Sequence, residues 1–388
     1  MINPAIGAHK AKQGLLVAKS YYFMFFAALA CLAPFFNVYL TEIGLSGAEI
    51  GWLGSIAPLV ALAANPIWGA IADRWQIHRQ VLALCALVSG VFTLLFLPVH
   101  DFWIFVVLVT ALTFFRIPIS AIVDSTVIDM VKQVKVNYGS QRLWGTFGFV
   151  IVSFGLGQVL TPAHYAIVFW LHAALLGVGC VILSFLLPVR GIEQRVSLRQ
   201  GISILLGQRN YVSFLIAMIL SGMGMAGYVN FLGLQIIALN GTDQQIGLAW
   251  ACGAILEVPA MYFGPRWFAH YSSRQVILGG FLGIALVYIG VGLSPTPIQV
   301  IITVLAMGIC FGSFLQAAVN YASEAAPPGV SATAQALMGA AQSGLGWSLG
   351  SVATGYLWDT LGGHTVFFFA GGMVILATLI FWLGSRES

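Results

Sequence analysis

The sequence predicts an all-α membrane protein of twelve transmembrane helices in two six-helix pseudo-repeats, with both chain ends on the cytoplasmic side. Three observations predict it. Hydrophobic residues make up 60% of the 388 and charged residues only 7%, with a mean hydropathy of +0.95. Soluble domains carry about 25% charged residues. Apolar stretches near 20 residues recur along the whole chain, and that is the length needed to cross a hydrocarbon core about 30 Å thick. Finally, Lys and Arg gather on alternate loops.

Taken in order, the spans are expected at about 20–41, 48–73, 80–98, 102–131, 138–161, 164–187, 210–239, 244–268, 274–294, 296–324, 330–358 and 363–384. Residues 1–19 hold Lys10, Lys12 and Lys19 but no apolar core or cleavage site, so they read as a cytoplasmic segment and not as a signal peptide. Most loops are short, which makes neighbouring helices antiparallel. The longest connection, 188–209, is rich in Arg and Gln and separates a bundle at 20–187 from one at 210–384; a short tail, 385–388, follows.

Orientation follows from the basic residues. With the N-terminus inside, the cytoplasmic segments hold Lys10, Lys12, Lys19, Arg74, Arg79, Lys132, Lys135, Arg142, Arg190, Arg195, Arg199, Arg209, Arg266, Arg274 and Arg386. The external loops hold none. Arg116 is left over, in mid-span.

The halves echo each other. FNVYLTEIGLSGAEIG at 36–51 resembles VNFLGLQIIALNGTDQQIG at 229–247, and each contains a capping box, Ser46-x-x-Glu49 and Thr242-x-x-Gln245. The hydroxyl accepts from the third helical N–H and the Glu or Gln reaches back, so each helix start is satisfied as the chain enters the bilayer. A weaker echo joins Leu143-Trp144-Gly145 to Leu337-Met338-Gly339.

Polar residues inside oil need a reason, because a charge at the bilayer centre costs about 2.5 kcal/mol or more. Helix four carries Thr113, Arg116, Ser120 and Asp124 at spacings that keep one stripe; helix five carries Arg142, Thr146, Phe149 and Ser153 likewise. The turn between the helices sets Asp124 and Arg142 at similar depth, where they could pair. The bland alternative is an Arg142 that snorkels to the interface. Glu257 is the one acid deep in the second half; a carboxyl taken out of water favours its neutral form, which makes it a candidate proton carrier. Tyr228, Asn230, Gln316, Asn320 and Gln342, with Ser221, Gln235, Ser313 and Gln335, suggest a neutral hydrogen-bonding wall, although each singly is more often interhelical glue. Asn37 and Asn65 stay ambiguous, and His172 reads as structural. The five cysteines, scattered in apolar segments, read as packing residues and not as disulfides or metal ligands.

These residues resemble the major facilitator superfamily. GAIADRWQIHRQ is similar to its signature G-x-x-x-D-R-x-G-R-[RK]. Gly69, Asp73 and Arg74 match, Gln76 replaces the second glycine, Ile77 the next arginine, and His78 and Arg79 keep the basic end. The resemblance implies a conformational latch built on Gly69, Asp73, Arg74 and Arg79, with Asp73 set against the start of helix eleven. GSQRLWGTFGF, PFFNVYLTEIGLS, FFRIP and LAWACGAILEVP are similar to the branch that holds lactose and phenylpropionate permeases. That branch implies a solute flanked by Asp124 and Arg142 and stacked on Phe149; the polar stripe of helix four adds Arg116 and Ser120 as solute contacts. The proton machinery departs from the branch: helices nine and ten lack its buried Arg, His and Glu cluster, so Glu257, with Asp124 as the other candidate, would carry the coupling nearly alone, or the protein is a facilitator.

The expected function is therefore secondary transport of a small organic solute across the inner membrane, coupled to protons, by a monomer without cofactor, metal or nucleic acid. The candidate solutes are a sugar, a nucleoside or an aromatic carboxylate. An uncoupled facilitator or exporter is the alternative, and a non-transporting sensor a distant one. An enzyme is not expected: no paired catalytic aspartates, no H-E-x-x-H and no phosphate-binding G-x-x-x-x-G-K-[ST] are present.

Overall fold

The structure is a computed structural model that describes residues 4–134, 136, 138–161, 164–188, 198–267, 269–327 and 330–385. Among them there are helices and turns and no strands. In chain order the helices are α1 (Pro4–Leu32), α2 (Phe36–Glu42), α3 (Gly47–Trp75), α4 (His78–Leu94), α5 (Phe102–Val134), α6 (Gly139–Val159), α7 (Ala166–Ala174), α8 (Val181–Leu186) and α9 (Leu198–Leu206). They continue as α10 (Arg209–Ala238), α11 (Asp243–Ile255), α12 (Glu257–Trp267), α13 (Ser273–Leu293), α14 (Pro297–Glu324), α15 (Ser331–Gly339), α16 (Trp347–Leu361) and α17 (Gly363–Gly384). Wider π-helical turns, Leu175–Cys180 and Ala340–Gly346, join α7 to α8 and α15 to α16 without a break.

Nine helical segments among the described residues are long and apolar enough to cross a bilayer. The other three expected spans coincide with α4, α6 and the α15–α16 rod. Those are shorter or richer in Gly, Ser and Gln, so length and apolarity alone do not single them out.

Both capping boxes form. Ser46 N–H donates to Glu49 Oε2 at 2.8 Å and Glu49 N–H to Ser46 Oγ at 3.3 Å, and Thr242 and Gln245 close the second box. A third, Ser272 with Gln275, starts α13.

Prolines explain where the expected spans depart from single rods. The first span is helical from Pro4 and its apolar stretch begins at Lys12, ahead of the expected residue 20; it then turns at 33–35. Pro34 disfavours helical geometry at Ala33, so α1 stops at Leu32 and α2 starts afresh. The eighth span breaks at Leu256, because Pro259 has no N–H for the Ile255 carbonyl and its ring crowds that turn. Pro118 lies inside α5 without breaking it. The carbonyl it leaves without a backbone donor is that of Phe114, and Trp68 Nε1–H supplies the missing bond at 3.1 Å. Arg116 sits within that repaired turn.

The chain forms two compact units: Met1–Tyr39 with Val60–Glu193, and Leu40–Leu59 with Gln194–Ser388. The first part of α3 thus counts with the second unit and the rest with the first. In the first unit α1 crosses α6 at bare backbone: a Cβ at Gly148 would strike the Phe23 carbonyl. In the second, α10 crosses the α15–α16 rod in the same way, with Gly222 against the Gln342 carbonyl and Gly346 against that of Ile219. Without a hydrophobic drive between helices in lipid, such close approach is what holds them. All five cysteines are free.

Candidate functional site

In the first unit the polar residues of α1, α5 and α6 converge. Asp124 Oδ1 accepts from the Tyr22 hydroxyl at 2.6 Å and from the Tyr138 hydroxyl at 2.9 Å. Arg142 Nη1 stands 3.7 Å from the same oxygen. That is ion-pair range but too long for a hydrogen bond. The Arg142 guanidinium lies 4.8 Å over the Phe26 ring, a cation–π contact. Asp124 Oδ2 takes no hydrogen bond from a described residue. The pair is not sealed: the Asp124 side chain is 31% exposed and that of Arg142 40%. The arrangement is a carboxylate locked on one oxygen beside a partly exposed arginine whose Nη1 is buried and without a hydrogen-bond partner.

Arg116 lies two helical turns away on α5, deep in the unit yet with part of its surface open. His172 is a fully buried ring on α7. His172 Nδ1 is 2.8 Å from the Ala28 carbonyl; a carbonyl only accepts, so Nδ1–H is the donor. Its Nε2 is buried without a partner. The remaining stripe residues do local work. The hydroxyls of Ser120 and Ser153 bond the carbonyls of Ile117 and Val150, three residues back. Phe149 and Thr146 are half-buried on α6.

The second unit holds the neutral candidates, and they are mostly engaged with one another. Asn230 Nδ2–H donates to Ser351 Oγ at 3.0 Å, and Gln342 Nε2–H to Ser221 Oγ at 3.3 Å; both pairs are buried and each ties α10 to the α15–α16 rod. Tyr228 is buried and stacks on Tyr288 with centroids 5.2 Å apart. On α14, Gln316 is half-buried and Asn320 exposed. Glu257 opens α12 directly after the break, against α14: a Cβ at Gly312 would lie 3.3 Å from Glu257 Cγ.

The latch residues sit at the α3–α4 turn. Asp73 Oδ1 pairs with His78 Nε2 at 2.8 Å. Gln76, where the superfamily signature has glycine, adopts the left-handed φ of 52° that glycine tolerates best. Its Nε2–H donates to the Asp73 carbonyl at 2.7 Å, which offsets part of that strain. Gly69 has open space around it, and Arg74 and Arg79 are exposed. Of the expected cytoplasmic charges, Lys135, Arg190, Arg195 and Arg386, and the side chains of Lys10 and Arg199, lie outside the described residues.

Sequence reasoning missed Tyr22, Tyr138 and Phe26, which complete the Asp124–Arg142 site, and Asp359 in the second unit. Asp359 accepts from the backbone N–H groups of Gly47 and Ala48, both at 2.8 Å, and so caps α3 from the end of α16. The stripe-by-stripe search could have found Tyr22, since Tyr22 and Phe26 are four apart on one face of α1. Nothing local signals Asp359.

A family model described as the MFS_1 like family matches residues 15–369. The maltose permease of Geobacillus stearothermophilus is 30% identical over 95% of this chain and 93% of its own length. The probable 3-phenylpropionic acid transporter of Escherichia coli is 28% identical over 66% of this chain and 68% of its own. Among solved structures, the nucleoside transporter NupG superposes with a TM-score of 0.84 at 16% identity, over 97% of this chain and all of that one.

Proposed function

Because the chain belongs to the MFS_1 like family of major facilitator transporters, we propose that it moves a small organic solute across the cytoplasmic membrane by alternating access, in symport with protons. It is a multi-pass membrane transporter. The solute is a sugar, a nucleoside or an aromatic carboxylate, which are the chemistries named for its relatives.

The observation that carries the reading is the half-locked carboxylate: Asp124 Oδ1 is fixed by two tyrosines, while Oδ2 accepts from no described residue and the buried Arg142 Nη1 has no hydrogen-bond partner. A purely structural pair in oil would be closed and fully hydrogen-bonded, since every unmade bond there is costly. In this reading Arg116, Ser120, Asp124, Arg142 and Phe149 form the charged wall. Tyr228, Asn230, Gln316, Asn320 and Gln342 belong to the neutral one. The six-helix halves, 20–187 and 210–384, rock about that site as a monomer, with both termini in the cytoplasm. Gly69, Asp73, Arg74 and Arg79 latch one of the two states. Glu257, assisted by Asp124, carries the proton.

Purified protein in liposomes tests this. Uphill uptake of one of the three solute classes under a proton gradient, lost in Arg142→Ala, is the expected result. No gradient-driven uptake and no exchange of any of them sinks it. An uncoupled facilitator is favoured by one observation: α13 and α14 hold no Arg, His and Glu cluster, and their terminal charges are spent locally, Arg274 on Ser385 and Glu324 on Ser273. Glu257→Gln separates the two, because a symporter loses accumulation and keeps exchange, whereas a facilitator changes in neither.

A further inference from the structure

We propose that the transported solute is an organic monocarboxylate and that Arg116 is the seat of its carboxylate. The inference rests on the transporter reading and narrows its substrate class.

It begins from charge. An arginine does not give up its proton in a protein, so a guanidinium deep in an apolar unit must find a counter-charge or water. Arg142 has a counter-charge in Asp124. Arg116 has none: among the described residues no carboxylate oxygen lies within 4.0 Å of it. The other described acids of the first unit are committed or remote. Asp73 is paired with His78, and Asp101 caps the start of α5 through the N–H groups of Trp103 and Ile104. Asp129 is 13 residues further along α5, roughly 20 Å at 1.5 Å per residue. The polar interior of this unit, Arg116 with Asp124 and Arg142, therefore carries one unbalanced positive charge.

The surroundings of Arg116 do not neutralise it either. His172, on α7, has its Nδ1–H fixed on the Ala28 carbonyl, so its Nε2 is a lone-pair acceptor and brings no negative charge. Its Nε2 is wholly buried and unpartnered. A guanidinium deep in the unit thus belongs to a residue that keeps open surface and has no hydrogen-bond or ion-pair partner among the described residues. A sealed structural arginine would show neither. A carboxylate satisfies the planar fork of Arg116 with two parallel bonds, which is the strongest neutral-making contact available to it. The Asp124–Arg142 pair, two turns along the same helix, is left to grip the other end of the solute.

The test is isothermal titration of the full-length protein with matched pairs that differ only in charge: 3-phenylpropionate against 3-phenylpropionamide, and glucuronate against glucuronamide. Maltose and uridine complete the panel. At least one carboxylate is expected to bind tenfold or more tighter than its amide, about 1.4 kcal/mol. Arg116→Gln is expected to abolish that difference, and Arg116→Lys to keep part of it. Should Arg116→Gln not fold, the wild-type ratio decides alone. Equal binding of acid and amide, or no binding by either carboxylate, overturns the proposal. So does a carboxylate preference that survives in Arg116→Gln. If only maltose or uridine binds and exchanges in liposomes, the anion seat falls while the carrier reading stands. If a carboxylate binds with the expected ratio but nothing crosses the membrane, the seat stands and the carrier reading falls.

Discussion

The same helix crossing is built twice in this protein, with opposite polar content. In the first unit α1 meets α6, where Gly148 faces the Phe23 carbonyl and Gly145 the Phe26 ring. In the second, α10 meets the α15–α16 rod, where Gly222, Gly346 and Gly350 face the backbone of Gln342, Ile219 and Met223. Beside the first crossing lie Arg142, Asp124, Tyr22 and Tyr138; beside the second lie Gln342 with Ser221, and Asn230 with Ser351. The scaffold is duplicated and the chemistry is not. Close packing of small residues is what a lipid-embedded helix pair needs, so it is common to both. Charge at that depth is expensive, and beside these two crossings an ion pair is found only at the first.

The largest effect should come from the shared feature. Gly148→Leu and Gly346→Leu each push a branched side chain into a facing backbone that cannot give way. Overpacking of this kind costs about 1–3 kcal/mol and more where backbone must move. Both variants should lose most folded protein, read as yield and unfolding temperature in detergent. A stable Gly346→Leu would mean that the second crossing is looser than the first. Gly339, which the sequence echo matches to Gly145, has nothing within 4 Å, so Gly339→Leu is the tolerated control.

Next comes the feature that differs. Asp124→Ala removes the acceptor of two tyrosine hydroxyls and the counter-charge of Arg142. Solute affinity should fall about ten- to a hundredfold, the worth of a hydrogen bond to a charged group, about 1.5–3 kcal/mol. Tyr22→Phe should cost about tenfold, because Tyr138 still holds Oδ1. Unfolding temperature should move little in either variant, the pair being partly open to water. A large loss of stability with unchanged affinity would make the site structural, like its counterpart.

A carboxylate in the second unit gives a contrast. Asp359 caps the first turn of α3, with both of its oxygens engaged at 2.8 Å. Both oxygens are committed to the helix start. Asp359→Asn should lower stability by about 0.5–2 kcal/mol, as cap removal does, and leave solute affinity alone. Equilibrium unfolding and titration on the same preparation check both halves.

These contrasts also mark what the sequence alone can carry. The capping boxes at Ser46 and Thr242 were legible because their partners are three residues apart. The helical stripe of Thr113, Arg116, Ser120 and Asp124 was legible because periodicity fixes a face. The pairing of Tyr22 with Asp124 was not, since the two are 102 residues apart and only the fold brings them together. The break at Glu257 was written in Pro259, yet an apolar run long enough to cross a bilayer hides a proline's local effect. The repair of the Pro118 gap by Trp68 needed the tertiary structure outright. Periodicity also marked Asn230 and Gln342 as polar stripes without saying whether they face a solute or a neighbouring helix.

That last ambiguity sets the smallest and most discriminating prediction. Asn230 and Gln342 each spend an amide donor on a serine hydroxyl across the α10 crossing. Interhelical hydrogen bonds in membranes are worth about 0.6 kcal/mol on average, because the separated helices find other partners. Asn230→Ala and Gln342→Ala should therefore lower the unfolding free energy by about that much. If these residues are glue, solute affinity stays within about twofold, since neither side chain is needed to bind. If either is a wall of the solute site, its loss strips a hydrogen bond from the bound state, and affinity falls by about tenfold while stability barely changes. The two outcomes move different observables. Unfolding and titration on one pair of variants thus decide whether the polar residues of the second crossing only join helices or also bind the solute.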